Sequence, residues 1–158
     1  MRSMPGFGDL ADAVAVFTGA GSGIGRATAR VFADRGARVV VSDVDPARAD
    51  EAARGIAATG GSAVATVCDV SSMSDLERLR DVALEAFGRV DIVMNNVGVI
   101  VVGPPEQIPL EEWERVIDLN LLGMVRSNAV FLPLVLEQGR GHVVNTGSRW
   151  GLLAFGYE

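Results

Sequence analysis

The sequence contains no lysine, so all fourteen of its basic residues are arginine. It has one cysteine, which cannot form an internal disulfide. Because Cys68 lies in the apolar run AVATVCDV, we interpret it as a buried, inert thiol, and a reducing, cytoplasmic compartment is the simplest expectation. The one histidine, His142, opens an apolar run, and we interpret it as structural or exposed rather than as a ligand. We therefore predict no metal site.

Three further features that the sequence lacks narrow the class of protein. It has no basic cluster or stripe, and its net charge is −6, so no nucleic-acid partner is predicted. The first residues contain no apolar core and no cleavage site of a signal peptide. The longest apolar stretch, 119–136, is interrupted by polar residues and a proline, so a buried helix is favoured over a membrane span.

Strand and helix patterns alternate along the whole chain. Short apolar runs predict strands at 14–17, 38–42, 63–68, 91–95 and 142–145. Helical spacing between them predicts helices that end near Arg35, Ala58 and Gln138, with a capping box at 74–77 and a kink at Pro133. The residues Leu76, Leu79 and Ala83 fall on the inner face of their helix, and Trp113, Val116, Ile117 and Asn120 share one face of a later helix. We therefore expect one domain, 1–158, with an α/β fold: a Rossmann-like, doubly wound parallel sheet in three layers, α/β/α, with about five strands present.

A glycine-rich segment joins the first strand to the first helix. Its residues are Thr18, Gly19, Ala20, Gly21, Ser22, Gly23, Ile24 and Gly25. Glycines allow a tight turn and a close approach to a diphosphate, and the helix N-terminus supplies free N–H groups. A merely glycine-rich turn is the alternative. The pattern T-G-x-x-x-G-x-G resembles that of the short-chain dehydrogenase/reductase family rather than the tighter G-x-G-x-x-G, in which residue 24 would be glycine instead of Ile24.

Asp43 closes the second strand, eighteen residues after Gly25. A carboxylate at this place can accept hydrogen bonds from both adenosine ribose hydroxyls and repels a 2′-phosphate. The alternative is a turn residue in front of Asp45 and Pro46. We therefore predict NAD as the cofactor, in preference to NADP.

Further segments extend the family resemblance over nearly the whole chain. Asp69 and Val70 follow the third strand, where the family places an aspartate against the adenine, although Asp69 alone is more typical of helix entry. Asn95, Asn96, Val97 and Gly98 resemble the family's N-N-A-G, with Val97 in place of the usual alanine. The resemblance implies cofactor contacts for Gly19, Ser22, Gly23, Ile24, Gly25, Asp43, Asp69, Val70, Asn96, Val97 and Gly98.

Two segments resemble the active-site part of the family. The stretch 119–123 matches the helix that carries an asparagine of the proton relay, which implies that role for Asn120, with a helix asparagine bonded to backbone as the alternative. The stretch 141–148 matches the strand that ends at the catalytic serine, which implies that Ser148 polarises the substrate oxygen, although a strand-end serine alone is usually a turn former. The family's proton donor belongs to a Y-x-x-x-K motif. Tyr157 is the only tyrosine, and no lysine follows it.

Three functions are compatible with these residues. The first is an oxidoreductase that moves hydride between a nicotinamide cofactor and a secondary alcohol or ketone, of which this chain is the N-terminal part. The second is a non-catalytic dinucleotide-binding fragment. The third is an inert fragment that aggregates through an uncovered sheet edge. The family resemblance also implies a homo-oligomer in the full-length form, and the substrate class cannot be narrowed further, since Arg149 and Trp150 are as consistent with a surface loop as with a pocket wall.

Overall fold

A computed structural model describes residues 10–149 and shows one parallel five-stranded sheet in that range. The strands are β1 Val14–Phe17, β2 Arg38–Asp43, β3 Ser62–Val67, β4 Ile92–Asn95 and β5 His142–Asn145. Their order across the sheet is β3-β2-β1-β4-β5. All five predicted strands are confirmed, with ends that differ by one residue at most. Trp150 and Tyr157 lie outside the described residues.

Helices cover both faces of the sheet. They are α1 Gly23–Asp34, α2 Pro46–Ala57, α3 Met73–Phe87, α4 Leu110–Ile117 and α5 Gly123–Glu137. Alternate residues of β1 separate two cores, because successive strand side chains point to opposite faces. Phe17 packs with α1 and α2 in one core, and Val16 packs with α3 and α5 in the other. The predicted Rossmann-like α/β/α architecture is therefore confirmed.

The topology places a crevice between β1 and β4. The chain leaves β1 toward β2 and β3 on one side, and it then returns to the other side of β1 to form β4 and β5. In open parallel sheets ligands bind outside the carboxyl ends of the strands at such a switch point. The segments that follow Phe17 and Asn95 meet there, and so do the predicted cofactor residues on them.

The start of α3 differs from the predicted capping box. The N-cap is Ser72 rather than Ser74, and its hydroxyl accepts a hydrogen bond from the backbone N–H of Asp75 at 3.3 Å. The Asp75 carboxylate in turn accepts the backbone N–H of Asp69 at 3.0 Å and pairs with Arg78. The prediction missed this cap because an aspartate that reaches back six residues takes the place of the usual glutamate. The cap fixes Asp69 at the sheet edge.

Asp75 makes the stability of this region depend on pH. Its hydrogen bond from the Asp69 N–H, assisted by Arg78, holds the pKa of the Asp75 carboxyl below its usual range. The contribution is therefore fully present above the unfolded pKa of about 3.9 and is lost as pH falls through the lower folded pKa. We expect Asp75→Asn to be less stable than the wild type at pH 7 by about 1 kcal/mol and nearly equal to it at the lowest pH at which both fold. Urea unfolding as a function of pH tests this, and a constant difference across the whole pH range contradicts it.

A long helical segment on the second face is less buried than predicted. The chain is helical from Leu110 to Glu137, with one wider π-helical turn at Asp118–Leu122. Val130, Phe131 and Val135 pack on the sheet, but Leu121 and Val125 are half exposed, so only one face of the predicted buried helix is buried. By length and composition this segment could cross a membrane, a test that core helices of soluble proteins also pass.

The irregular turn of this segment is not at Pro133. Helix α5 continues through Pro133 to Glu137, so the predicted kink at the proline stays a prediction, while a π-helical turn that was not predicted lies at Asp118–Leu122. Pro133 and Ala129, whose carbonyl loses its helical partner, both lie on the exposed side, where water can hydrogen-bond that carbonyl. Helix α4 buries no residue completely, and Trp113 and Ile117, which were predicted to share one of its faces, are about half exposed.

Candidate cofactor and active site

The glycine-rich segment forms the turn into α1, and its three motif glycines differ in their surroundings. Gly23 has a φ of +53°, and a Cβ there would have no atom within 4 Å, so its free side is open space at the helix N-terminus. A Cβ at Gly25 would lie 2.6 Å from both the Gly19 carbonyl oxygen and the Asn96 amide nitrogen. Gly25 therefore allows close packing inside the protein, and Gly23 leaves room for a ligand. Ser22 and Ile24 are exposed beside it.

The segment that follows β4 holds the turn in place. The Asn96 side-chain amide donates to the Gly19 carbonyl at 3.1 Å, and its backbone N–H donates to the Thr18 hydroxyl at 3.1 Å. Thr18 is buried. The two sides of the switch-point crevice are thus joined by side-chain bonds between residues 76 or more positions apart. Gly98, at the end of the N-N-V-G stretch, is exposed.

Asp43 lies at the carboxyl end of β2 and is only 8% exposed. Its carboxylate accepts two backbone N–H groups, from Gly21 and from Asp45, each at 3.0 Å. Each oxygen keeps a further lone pair, because an ionised carboxylate offers about four acceptor sites. The same carboxylate can therefore shape the glycine turn and accept hydrogen bonds from a ligand.

Asp69 and Val70 lie at the carboxyl end of β3. One Asp69 carboxylate oxygen accepts both the backbone N–H and the hydroxyl of Ser71, at 2.9 and 2.7 Å. This is the helix-entry arrangement that the sequence left open for Asp69, and it leaves the second oxygen for another donor. Val70 is buried, with its side chain against Gly123, and its predicted cofactor contact stays a prediction.

Gly19 and Val97 are in close contact across the crevice. Gly19 has a φ of +62°, and a Cβ there would lie 2.9 Å from Cγ2 of Val97. We expect Gly19→Ala to weaken both folding and NADH binding, because it combines a left-handed backbone, which costs about 1 kcal/mol for alanine, with a steric clash.

A double-mutant cycle separates these two causes. Adding Val97→Ala removes the clashing methyl group, so the double variant should recover the steric part of the loss and keep the part due to φ. The unfolding free energies and NADH affinities of the four proteins give the coupling. Strictly additive losses would contradict the proposed contact.

Asn120 lies in the π-helical turn and binds the loop that follows β4. Its carbonyl oxygen accepts the Val99 N–H, and its amide group donates to the Val99 carbonyl, both at 2.8 Å. Arg126 braces the same turn by binding the carboxylate and the carbonyl of Asp118. The side chain of Asn120 therefore bonds to backbone, which is the alternative that the sequence left open. Its predicted relay role stays a prediction.

Ser148 follows the end of β5, and the chain before it is tied to β4. The Asn95 amide group donates to Asn145 Oδ1 at 2.8 Å, and the Thr146 N–H donates to the Asn95 carbonyl at 2.9 Å. The Thr146 hydroxyl also donates to Asn96 Oδ1 at 3.4 Å. The structure thus brings the approach to Ser148 to the same crevice as the cofactor residues. Ser148 itself is exposed and makes an interaction within the protein.

The comparisons with known proteins agree with this geometry. A family model described as short chain dehydrogenase matches residues 13–156, nearly the entire chain. The chain belongs to the short-chain dehydrogenase family. It is 38% identical to cyclohexanol dehydrogenase of Acinetobacter sp. (strain SE19) over 141 residues, which cover 89% of this chain and 56% of that protein.

Two solved structures of short-chain dehydrogenases superpose closely on the chain. One is a short chain dehydrogenase/reductase from Burkholderia phymatum in complex with NAD, at a TM-score of 0.89 and 37% identity, covering 92% of this chain and 52% of that one. The other is a 7α-hydroxysteroid dehydrogenase complexed with NADH and 7-oxo glycochenodeoxycholic acid, at a TM-score of 0.89 and 33% identity, covering 93% and 57%. The chain thus spans about half the length of the relatives that it matches.

One site residue of this short-chain dehydrogenase was missed in the sequence. Asn128 of α5 accepts a hydrogen bond from the Asn95 amide group at 3.2 Å, so it helps to hold the end of β4. The only sequence signal is a polar residue within an apolar stretch, which was interpreted merely as an interruption. Its partner is 33 positions away, and no local pattern identifies such a pair.

The remaining candidate groups carry no reactive chemistry in the structure. Cys68 is buried, and burial, together with the nearby Asp75 carboxylate, raises the pKa of its thiol to about 12, so the thiol stays protonated at neutral pH. Among residues 10–149 no group of three or more histidine, cysteine, aspartate or glutamate residues could hold a metal ion.

Proposed function

We propose that this chain is the NAD-binding part of an oxidoreductase that transfers hydride between the nicotinamide and a secondary alcohol or ketone. The observation that carries the proposal is the glycine turn, in which Gly23 leaves open space at the N-terminus of α1 while Asp43 stands at the end of the neighbouring strand β2. A helix N-terminus of this kind favours a diphosphate, and the carboxylate favours free ribose hydroxyls. The chain's relatives include structures that contain NAD and NADH.

Each predicted residue has a distinct role in this proposal. Gly19, Ser22, Gly23, Ile24 and Gly25 surround the diphosphate, Asp69 and Val70 meet the adenine, and Asn96, Val97 and Gly98 lie along the nicotinamide ribose. NAD, when bound, supplies or accepts the hydride. Ser148 donates a hydrogen bond to the substrate oxygen, and Asn120 holds the wider turn of its helix next to the proton relay.

Cofactor choice tests the proposal most directly. We expect NADH to bind more tightly than NADPH, because Asp43 accepts ribose hydrogen bonds and repels a 2′-phosphate. Asp43→Ala should weaken NADH binding by about tenfold or more and bring the two affinities close together, since a hydrogen bond to a charged group is worth about 1.5–3 kcal/mol. Fluorescence titration of the bound reduced cofactors measures both affinities.

Asp45→Ala is the matched control for this measurement. Asp45 is the N-cap of α2 and accepts the Ala47 N–H at 2.9 Å, so its loss should reduce stability by about 1 kcal/mol without changing cofactor preference. Equal or tighter binding of NADPH to the wild type contradicts the assignment of Asp43. Loss of preference in both variants would attribute the effect to local unfolding instead.

A non-catalytic dinucleotide-binding protein is the second candidate. The glycine turn and Asp43 support it as well as they support the first candidate, because both groups serve dinucleotide binding whether or not turnover follows. Turnover distinguishes the two candidates, because both bind NADH and only the first oxidises it.

The proposal also includes the substrate, the partners, the location and the oligomeric state of the protein. We infer a small-molecule alcohol or ketone as substrate, with no nucleic-acid or membrane partner, a cytoplasmic location, and a homo-oligomeric full-length form. The net charge of −6 supports the exclusion of a nucleic-acid partner, because a negatively charged protein repels a polyanion.

A further inference from the structure

The loop between β4 and α4 has an apolar part, residues 97–105, which we call the apolar loop and which ends before Glu106. From Val97 to Pro105 no side chain is polar. Ile100 and Val102 are 61% and 73% exposed, while Val99 and Val101, which precede them, are half-buried. Exposure therefore alternates from Val99 to Val102, and Ile100 and Val102 are the two aliphatic side chains most open to a ligand.

This apolar loop begins at the switch-point crevice and is held there. Asn120 binds both backbone groups of Val99 at 2.8 Å, so the loop is fixed directly before Ile100. Its first residue, Val97, contacts Gly19 of the glycine turn. The loop is thus continuous with the proposed cofactor site, at the edge of the sheet where ligands bind in such folds.

The segment that carries Ser148 reaches the same edge from the adjacent strand. β4 and β5 are parallel neighbours, with Asn95 opposite Asn145, so the chain leaves both strands in the same direction. The Thr146–Asn96 bond joins the two segments at their start. A molecule whose oxygen binds Ser148 therefore lies at the edge of the sheet from which the apolar loop also starts.

Charge on these two segments is limited to one residue. The apolar loop has none, and the segment 146–149 contributes Arg149. An anionic substrate would have Arg149 as its one counter-charge on these two segments, and Arg149 also takes part in an interaction within the protein. Exposed aliphatic side chains gain instead by covering a hydrocarbon, since apolar surface is removed from water on both sides.

We propose that the substrate of this site is a neutral alcohol or ketone with an aliphatic hydrocarbon body, which Ile100 and Val102 cover. The inference rests on the proposed function and narrows its substrate class. Affinity is gained through methylene groups rather than through a second polar group. Small polar hydroxy acids and sugars are disfavoured because the loop offers them no hydrogen-bond partner.

Binding of ketones to the NADH complex tests the proposal without requiring turnover. NADH is first titrated into the natural polypeptide that carries this sequence, followed by fluorescence. The complex is then titrated with butan-2-one, pentan-2-one and hexan-2-one. The dissociation constant should fall about fourfold for each added methylene, as expected for a buried CH₂. Levulinate, which carries a carboxylate in place of the terminal methyl group of pentan-2-one, should bind at least about tenfold more weakly than pentan-2-one.

Variants of the apolar loop test whether it is the source of the gain in ketone affinity per methylene group. Ile100→Ser and Val102→Ser should each reduce the gain to about twofold or less per methylene. Leu136→Ser is the matched control, because Leu136 is 69% exposed near the end of α5, at the opposite edge of the sheet, and it should leave the gain unchanged. A flat series, an unchanged gain in both loop variants, or tighter binding of levulinate overturns the substrate class. Failure of NADH itself to bind overturns the proposed function as well.

Discussion

Gly23→Val is expected to abolish NADH binding while the protein keeps its helical content. Gly23 has a φ of +53° at the N-terminus of α1, with no atom within 4 Å of the position a Cβ would take. A valine side chain would fill the space that the diphosphate needs and would block the N–H groups there. Loss of two hydrogen bonds to a charged group corresponds to about a hundredfold or more in affinity.

Backbone strain must be separated from this effect, because valine also resists a positive φ, at a cost of about 1–2 kcal/mol. Gly60→Val is the matched control. Gly60 has a φ of +87° and equally open surroundings, but it lies between α2 and β3, at the amino edge of the sheet. It should show the same loss of stability with unchanged NADH affinity. Tight NADH binding by Gly23→Val would show that the diphosphate lies elsewhere.

Gly25→Ala should fail in a different way from Gly23→Val. Its Cβ would meet the Gly19 carbonyl and the Asn96 amide at 2.6 Å, and these two atoms bond to each other. The helix must therefore move away from the crevice, so we expect a loss of folding stability of about 1–3 kcal/mol, as for an overpacked core. Urea unfolding measures this directly. A variant as stable as the wild type would contradict the packing role given to Gly25.

The sequence was sufficient to predict the fold because local signals agree with the long-range arrangement. Runs such as 38–42 contain no polar alternation, which is typical of strands covered on both faces, and the structure buries β2 throughout except for its first residue. The glycines of the turn were also predictable, because the backbone geometry of a segment of eight residues determines their spacing.

Contacts between distant segments were not predictable in this way. The cap of α3 was placed at Ser74 because the pattern there is regular, whereas the bond from Asp69 to Asp75 favours Ser72. The sequence left open a backbone partner for the Asn120 side chain, but it did not identify Val99, 21 positions earlier, as that partner. In each case the deciding partner belongs to another segment of the fold, and a pattern along one helix contains no information on it.

We predict that the 158-residue chain alone has no measurable dehydrogenase turnover, because it lacks groups that the reaction needs. Reduction of a ketone needs a proton as the alkoxide forms, and general acid catalysis is typically worth about 10²- to 10⁴-fold. A serine hydroxyl such as that of Ser148 is a hydrogen-bond donor with too high a pKa to supply this proton. No lysine is present to lower the pKa of a tyrosine or to hold the nicotinamide ribose, and a misplacement of about 1 Å can itself cost roughly a hundredfold.

The measurement is nicotinamide absorbance, with NADH and a series of ketones or NAD and the matching secondary alcohols. We expect a rate no different from that of Ser148→Ala, together with weak NADH binding that survives in both proteins. That combination would assign cofactor binding to the residues between Gly19 and Gly98, and chemistry to groups that this chain does not contain. Turnover that follows the purified chain and disappears in Ser148→Ala would show instead that Ser148 and its neighbours suffice, and that lysine is dispensable for the reaction.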